Sequence, residues 1–335
     1  MKSLMGRTFF SDIIACLQQA AENTVSAPEY AQAFAQIIAS ISEDKSEIFS
    51  LPISACEAGG GSPSKAVSVA AAWVALRVGA RLFDDVEDGD VGAANYGECT
   101  PPCVINLATG FYGITNLILL DAHDSFTSEL KAALIRRFNR MIMKMVEAQH
   151  LELTPGGILT LDDYWRNIQG KSGVFFGVGV QCGAMCGTRA EDVLERYYKF
   201  GYNLGIALQL IDDFRGFFFE DAHSDLAKGK RTALFFFIED FAPVSVKEQI
   251  RLLLNHAPEQ LEARERLRQI AREQGAAAYV LAEIARYRHR AVQSLLPDDD
   301  PEHHLIEYLE QFVPLQDNHL ANSVANHSIS SISDH

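Results

Sequence analysis

The sequence predicts an all-α fold, a single helical bundle that builds its functional site inside the core. Apolar residues recur at helical spacing through most of the chain, and the alternating patterns typical of strands are scarce. Breaks rich in Gly and Pro separate the apolar segments and leave short connections between them. Helices joined in this way are typical of bundles whose sites and cavities lie between facing helices.

The predicted helices follow the apolar periodicity in chain order. They cover residues 13–20, 30–41, 67–82, 105–120, 130–148, 173–186, 193–211, 233–241, 246–254 and 276–295. Ser62 with Pro63, and Asp162, indicate helix starts, because these residue types favour the first turn. We expect residues 1–315 to form one helical domain. Residues 316–335, rich in Ser, Asn, His and Asp, are expected to be a disordered tail.

The composition excludes several classes of protein. A hydrophobic content of 48% supports a large core, and a net charge of −15 argues against nucleic acid and anionic membranes as partners. The N-terminus lacks the apolar stretch of a signal peptide. No stretch is long enough and free enough of charge to predict a membrane span. We therefore expect a cytoplasmic protein.

The six cysteines include two pairs at CxxxC spacing, which raises the question of a zinc site. Structural zinc sites more often use CxxC spacing with further Cys or His nearby. Cys182 and Cys186 lie in a small, apolar segment, so we expect them to be buried free thiols.

Two acidic clusters carry the strongest functional signal. Asp84, Asp85 and Asp88 follow one apolar run, and Asp212 and Asp213 follow another. Each run reads as a helix, so Asp84 and Asp88, four residues apart, lie on one helical face. Carboxylates are costly to bury unless they are paired or bind a metal. An oxygen-rich pocket made by two such faces suits Mg²⁺, which prefers carboxylates, waters and phosphate oxygens.

A basic stretch, residues 225–232, follows the second cluster and contains Lys228, Lys230 and Arg231. Acids and bases in this order fit a site for magnesium and diphosphate better than a solvated surface. The sequence therefore predicts an enzyme that binds a diphosphate through Mg²⁺.

The ordered motifs resemble those of the trans-isoprenyl diphosphate synthase (polyprenyl synthetase) family, from roughly residue 52 to residue 309. The first aspartate-rich motif of that family matches at Asp84, Asp85 and Asp88. The other similar stretches are 147–153 (its G-Q-x-x-D-L element, with Glu152 in place of Asp), 164–173 (its Y-x₆-K-T-G helix), 201–213 (its second aspartate-rich motif) and 224–232 (its D-L-x-x-G-K-x-T element).

Three departures from the family pattern affect the expected function. Chain-elongating members carry G-K-x-x-R-P before the first motif, and here residues 46–52 retain only Pro52. Those members also carry two arginines shortly after the first motif, where residues 89–96 contain no cation. The last Asp of the second motif is Gly216, for which Glu220, Asp221 or Asp225 are possible substitutes. A second anionic substrate needs Arg or Lys to hold it, so the missing cations before and after the first motif remove the expected binding site for isopentenyl diphosphate.

The resemblance and its departures together predict a Mg²⁺-dependent class I terpene synthase. Such an enzyme ionises an allylic prenyl diphosphate, here of C15–C20 or longer, cyclises the carbocation and releases diphosphate. Two alternatives stay open. One is a prenyltransferase, which elongates a chain with isopentenyl diphosphate or prenylates a non-diphosphate acceptor. The other is a non-catalytic subunit of a heteromeric synthase, against which the retained aspartates argue.

The resemblance also implies roles for individual residues and a homodimeric assembly. The expected catalytic residues are Asp84, Asp85, Asp88, Asp212 and Asp213, of which Asp84, Asp88 and Asp212 bind Mg²⁺, three ions in all once diphosphate is bound. The expected diphosphate-binding residues are Lys171, Gln209, Lys228, Lys230 and Arg231. The expected pocket residues are Trp73, Leu76, Gly79, Ala80, Phe83, Phe175, Phe176 and Tyr202, whose aromatic members would stabilise a cation.

Within the family, the positions four and five before the first motif lie under the diphosphate, where bulky residues stop the chain early. Here they are Ala80 and Gly79, so we expect open space at that turn. Leu76 and Trp73 follow on roughly the same face and are expected to close the pocket for a C15 to C20 chain.

Overall fold

The structure, a computed structural model, describes residues 5–41, 46–92, 99–123, 125–219, 225–295 and 304–314. Every regular element within these ranges is a helix, which confirms the predicted all-α class. The proposed tail, together with Glu220 and Asp221, lies outside the described residues. The expectation of one helical domain over residues 1–315 stays a prediction.

The helices observed in the described residues follow the predicted segments closely. They are α1 Met5–Thr24, α2 Pro28–Ala39, α3 Ser46–Phe49, α4 Leu51–Ala58, α5 Val67–Glu87, α6 Pro101–Leu120, α7 Ser128–Leu153, α8 Leu161–Ile168, α9 Val174–Ala184, α10 Glu191–Phe218, α11 Ala233–Phe241, α12 Val244–His256, α13 Leu261–Glu273, α14 Ala276–Ser294 and α15 His304–Phe312. A π-helical turn, Gln169–Gly173, joins α8 to α9. The apolar periodicity did not predict α3, α4, α8, α13 and α15, although Asp162 indicated the start of α8. Helices α3, α4, α8 and α15 are short, and α13 is mostly charged.

The described chain forms two compact units. The first comprises the described residues within Met1–Met143, Gly177–Gly201 and Asp300–Leu305, and the second those within Lys144–Phe176, Tyr202–Asp299 and Ile306–His335.

In the first unit α5 is a core helix that packs along α6. Its N-terminal half is buried, and the indole of Trp73 is fully covered. A Cβ atom at Gly179 on α9 would lie 2.5 Å from Nε1 of Trp73, so the glycine allows the indole to approach the helix backbone. Burying side chains of this size supplies much of the apolar stabilisation of the unit.

In the second unit α8 is fixed by its cap and by aromatic contacts. Thr160 and Asp163 form a capping box at its N-terminus, which satisfies backbone donors that the first turn leaves unpaired. The indole N–H of Trp165 donates to the Tyr279 hydroxyl at 3.2 Å, and its ring stacks on Tyr287 with centroids 5.6 Å apart. These contacts hold α8 and the π-helical turn after it in place.

Two described helical segments, Pro63–Glu87 and Pro101–Leu120, are long and apolar enough to span a bilayer by length and composition. The apolar window of the first is 61% buried inside the fold and that of the second 44%. A core helix passes the same test, so this observation is weak evidence for a membrane segment.

Candidate active site

The first acidic cluster lies at the C-terminal end of α5. The helix ends at Glu87, Asp88 is its C-cap residue, and the Asp88 N–H donates to the Asp84 carbonyl at 2.8 Å. No basic residue lies in the last turn. Carboxylates at the negative end of a helix dipole are unfavourable, and a bound cation would offset that cost. Asp85 contacts the Arg81 guanidinium at 3.6 Å, one turn back along the helix.

The donor set of this cluster fits Mg²⁺ that is shared with a substrate. Within the described ranges, no three His, Cys, Asp or Glu side chains converge to form a metal site made by protein alone. Mg²⁺ seldom uses such an all-protein cage, since it keeps several waters and takes one or two carboxylates together with substrate phosphates. Acidic side chains gathered at a helix C-terminus therefore suit a magnesium ion that a diphosphate completes.

The second cluster contains two aspartates in different environments. Asp212 is exposed on α10, whereas Asp213 is 5% exposed. The Tyr164 hydroxyl donates to Asp213 Oδ2 at 2.6 Å, and the Gln209 amide donates to Oδ1 at 2.8 Å. The Ala233 N–H lies 3.5 Å from Oδ2. Asp213 thus anchors α8 and the start of α11 to α10, and Asp212 is the aspartate of this pair that faces solvent.

Burial has the largest effect on the pKa values of Asp213 and Tyr164. Loss of hydration raises the pKa of Asp213 to about 6, against the hydrogen bonds from Tyr164 and Gln209, which lower it. Burial, with the Asp213 charge next in importance, raises the pKa of Tyr164 well above its usual value. The tyrosine therefore stays protonated and keeps donating to the carboxylate.

Gln209, expected to bind diphosphate, has both ends of its amide engaged within the protein. Its Oε1 accepts from the Ser172 hydroxyl at 2.7 Å, while its Nε2 donates to Asp213. A Cβ atom at Gly205, one turn before Gln209, would lie 2.3 Å from the Ser172 carbonyl oxygen. Small residues thus bring α10 against the π-helical turn, and Gln209 positions Asp213.

Gly216, which stands where the family has the last Asp of the second motif, is covered by Asp225. A Cβ atom at Gly216 would lie 2.3 Å from Asp225 Oδ2. The chain folds back at this point, with the Leu226 N–H donating to the Gly216 carbonyl at 3.3 Å. The positive φ of Gly229, 68°, closes the turn. Of the three possible substitutes, Asp225 is the one in the described residues, and its carboxylate lies directly over position 216.

The expected diphosphate-binding cations have different surroundings. Lys171 forms an ion pair with Glu152 at 3.0 Å, so the Glu that replaces the family's Asp still supplies a carboxylate. Lys228 and Lys230 are partly exposed on the turn after Asp225. The Arg231 guanidinium lies 5.3 Å from the centre of the Phe235 ring.

Residues 48–52, which lie in the stretch that matches the missing G-K-x-x-R-P element, belong to the core. Phe49 is 3% exposed, and Ser50 and Leu51 are covered as completely. A Cβ atom at Gly183 on α9 would lie 2.1 Å from the Pro52 carbonyl oxygen, which shows how closely α4 packs in the first unit. From residue 48 to residue 56 the chain has no charged side chain with which to hold a second diphosphate.

The expected pocket residues divide between the two units. In the first unit, Trp73 and Leu76 are fully buried, and Phe83 and Ala80 are partly exposed. In the second unit, the Phe175 and Phe176 rings meet edge to face at 5.4 Å. Tyr202 packs over Gly173, where a Cβ atom would lie 2.9 Å from its ring.

The expectation of open space at Gly79 is wrong. A Cβ atom there would lie 2.6 Å from Cδ1 of Tyr112, so the tyrosine ring of α6 fills the gap. Sequence reasoning missed Tyr112 because nothing in the pattern of α6 shows which of its side chains meets a glycine of α5. It also missed Tyr164 as the donor to Asp213, although the family helix that contains Tyr164 was recognised.

Comparisons with known proteins place these motifs in a family. The sequence profile of the family described as polyprenyl synthetase matches residues 50–273. A geranylgeranyl diphosphate synthase of Saccharolobus solfataricus is 27% identical over 164 residues, 46% of this chain and 49% of that protein. A geranylfarnesyl diphosphate synthase of Methanosarcina mazei is 31% identical over 90 residues, 27% of this chain and 30% of that protein. The matches therefore span about half or less of these curated relatives.

Solved structures show the same fold over nearly the whole chain. A geranylgeranyl pyrophosphate synthetase from Pyrococcus horikoshii superposes with a TM-score of 0.78 at 18% identity, covering 92% of this chain and 98% of that one. A polyprenyl synthase from Caulobacter crescentus, complexed with calcium and isoprenyl diphosphate, gives a TM-score of 0.76 at 18% identity, covering 92% and 94%. Since the profile matches more than half of the chain, the protein belongs to the polyprenyl synthetase family.

Proposed function

We propose that the protein is a prenyl diphosphate synthase, a prenyltransferase that joins an allylic prenyl diphosphate to isopentenyl diphosphate. The family match carries this proposal, and the named relatives, geranylgeranyl and geranylfarnesyl diphosphate synthases, support it. They favour this alternative over the terpene cyclase that the missing cations had led us to expect.

We assign the binding of Mg²⁺ and diphosphate to particular described residues. Asp84, Asp88 and Asp212 would hold Mg²⁺, three ions with diphosphate bound, and Asp225 takes over the task of the missing last Asp. Asp213 would act indirectly, because its buried hydrogen bonds with Tyr164 and Gln209 fix the part of α10 that carries Asp212. Bound Mg²⁺ would supply charge stabilisation for the departing diphosphate.

Basic side chains on and near the turn after Asp225 would also stabilise the negative charge of the departing diphosphate. Lys228, Lys230 and Arg231, with Lys171, would neutralise phosphate oxygens as negative charge develops on them. The allylic C–O bond breaks, and its electron pair leaves with the diphosphate. The double bond of isopentenyl diphosphate attacks the resulting cation, and loss of a proton restores a double bond. Aromatic side chains such as Phe83 would shield the cation from water.

Product analysis tests the proposal. The protein is incubated with Mg²⁺, allylic diphosphates of C10, C15 and C20, and labelled isopentenyl diphosphate. We expect the label in longer prenyl diphosphates and a loss of about two orders of magnitude in rate for Asp84→Ala. Asp121→Ala is the matched control, because Asp121 is an exposed C-cap residue of the neighbouring helix α6. Normal rates for Asp84→Ala at saturating Mg²⁺ would refute the site assignment.

A terpene cyclase is the second candidate, and one observation favours it. The stretch 48–52, where chain-elongating members carry cations, is buried and uncharged here. A cyclase binds no second diphosphate substrate, so it does not need those cations. In the product analysis a cyclase consumes allylic diphosphate, releases hydrocarbons or alcohols, and leaves the labelled isopentenyl diphosphate untouched.

A homodimer is also proposed. Exposed apolar side chains on α6, Ile105 at 41% and Leu120 at 51%, support a contact between copies along this helix. Light scattering coupled to size-exclusion chromatography checks it, with the mass of two 37.0 kDa chains expected. The mass of one chain at micromolar concentration would contradict it.

A further inference from the structure

Tyr112 of α6 fills a gap in α5 one turn before the first acidic cluster. The gap exists because residue 79 is glycine. A Cβ atom at Gly79 would lie 2.6 Å and 2.8 Å from Cδ1 and Cε1 of Tyr112, and 3.1 Å from the Ala108 carbonyl oxygen. Side chains do not approach that closely, so the ring occupies space that any larger residue at position 79 would need.

The same ring lies close to the acidic cluster. Its centroid is 5.5 Å from that of Phe83, with the planes at 77°, an edge-to-face contact. The pKa of Tyr112 is raised to about 12, first by burial and then by the negative charges of Asp84 and Glu87. The phenol is therefore within electrostatic reach of the carboxylates at the end of α5.

We propose that Tyr112 limits the length of the prenyl chain, by closing the surface of α5 just before the first aspartate-rich motif. The inference rests on the proposed function, in which Asp84 helps to bind the diphosphate of the allylic substrate. The prenyl chain is covalently attached to that diphosphate and is apolar, so it must run along apolar surface away from the carboxylates.

Phe83 and Gly79 lie one turn apart on α5, and the Tyr112 ring packs against both of them. Asp84 and Gly79 are separated by about 7.5 Å along the helix axis, at 1.5 Å per residue. A growing chain that follows this surface of α5 meets the ring and stops there. The side chain that stops the prenyl chain therefore belongs to α6, because α5 has a glycine at the position where a bulky residue would do so.

Length analysis of reaction products tests this role. Tyr112→Ala removes the ring, and Tyr112→Leu removes part of it with less risk to folding, while Tyr112→Phe retains the ring without the hydroxyl. Each variant is incubated with Mg²⁺, a C15 allylic diphosphate and labelled isopentenyl diphosphate. We expect the main product of the Ala and Leu variants to be longer than that of the wild type by at least one C5 unit. The Phe variant should make products of wild-type length.

Tyr30→Ala is the matched control. Tyr30 of α2 also packs against a glycine of α6, because a Cβ atom at Gly110 would lie 2.1 Å from its hydroxyl. The Tyr30 hydroxyl donates to the Asn106 carbonyl at 3.0 Å. Its removal opens a comparable void elsewhere on α6 and should leave product length unchanged. An unchanged product length in active Tyr112→Ala and Tyr112→Leu, or an equal shift in Tyr30→Ala, would overturn the proposal.

Calorimetric binding of C10, C15 and C20 prenyl diphosphates separates this inference from the proposed function. If the wild type incorporates no isopentenyl diphosphate, the proposed function fails. The affinities for prenyl diphosphates of different length still test whether the Tyr112 ring limits the chain. We expect Tyr112→Ala to raise the affinity for C20 relative to C15 by about tenfold, since the additional carbons become buried. An unchanged affinity ratio would overturn the role of Tyr112 whatever the reaction is.

Discussion

The hydrogen bond from Tyr164 to Asp213 offers a test of the anchoring network in the second motif. Tyr164→Phe removes one hydroxyl and retains the ring. The lost bond is 2.6 Å long and ends on a carboxylate that is 5% exposed. Hydrogen bonds to charged groups contribute about 1.5–3 kcal/mol, and the upper part of that range applies when the remaining charge stays buried. We therefore expect the free energy of unfolding to fall by about 2–3 kcal/mol.

Urea unfolding followed by circular dichroism, at pH 7.5 without metal, measures this loss. Tyr279→Phe is the control, because the Tyr279 hydroxyl accepts from the neutral indole of Trp165 at 3.2 Å and should cost about 1 kcal/mol or less. Combining Tyr164→Phe with Asp213→Asn should recover part of the loss, since a neutral amide is cheaper to bury than a carboxylate. Equal losses for the two tyrosines, or no coupling with Asp213→Asn, would refute the reasoning.

Three further predictions follow from the site. Gly216→Ala should lower the free energy of unfolding by about 1–3 kcal/mol, because its Cβ would meet Asp225 Oδ2 at 2.3 Å; unfolding that matches or exceeds wild-type stability would contradict the placement of Asp225. Asp212→Asn should reduce turnover by about two orders of magnitude and leave urea unfolding nearly unchanged, because this side chain is exposed. Burial raises the pKa of Cys182 to about 12, so a maleimide at pH 8 should label exposed Cys103 and spare Cys182 until the protein unfolds; fast labelling of Cys182 in the folded protein would contradict its burial.

The helices could be predicted from the sequence because apolar periodicity marks them directly. The exceptions have physical reasons. Helix α13, LEARERLRQIARE, buries Leu267 and Ile270 among many charges, so its apolar stripe is too narrow to stand out. Helix α8 has eight residues, and its position depends on its capping box and on packing by Trp165.

The site could be predicted only at the level of residue type. The spacing of the acidic clusters indicated diphosphate chemistry, but nothing local distinguishes Asp212 from Asp213. That distinction arises from Tyr164, which is far away in the chain and reaches Asp213 only after α8 is folded. The filled gap at Gly79 likewise depends on how α6 packs on α5, which no pattern within either helix encodes.

The central claim, that the protein is a prenyl diphosphate synthase, is tested most directly by stoichiometry. The measurement is the number of diphosphate ions released per isopentenyl diphosphate consumed, with a C15 allylic diphosphate and Mg²⁺ present. A synthase releases one diphosphate for each isopentenyl diphosphate that it joins, so we predict a ratio of one. Steady release of diphosphate with no consumption of isopentenyl diphosphate would contradict the claim.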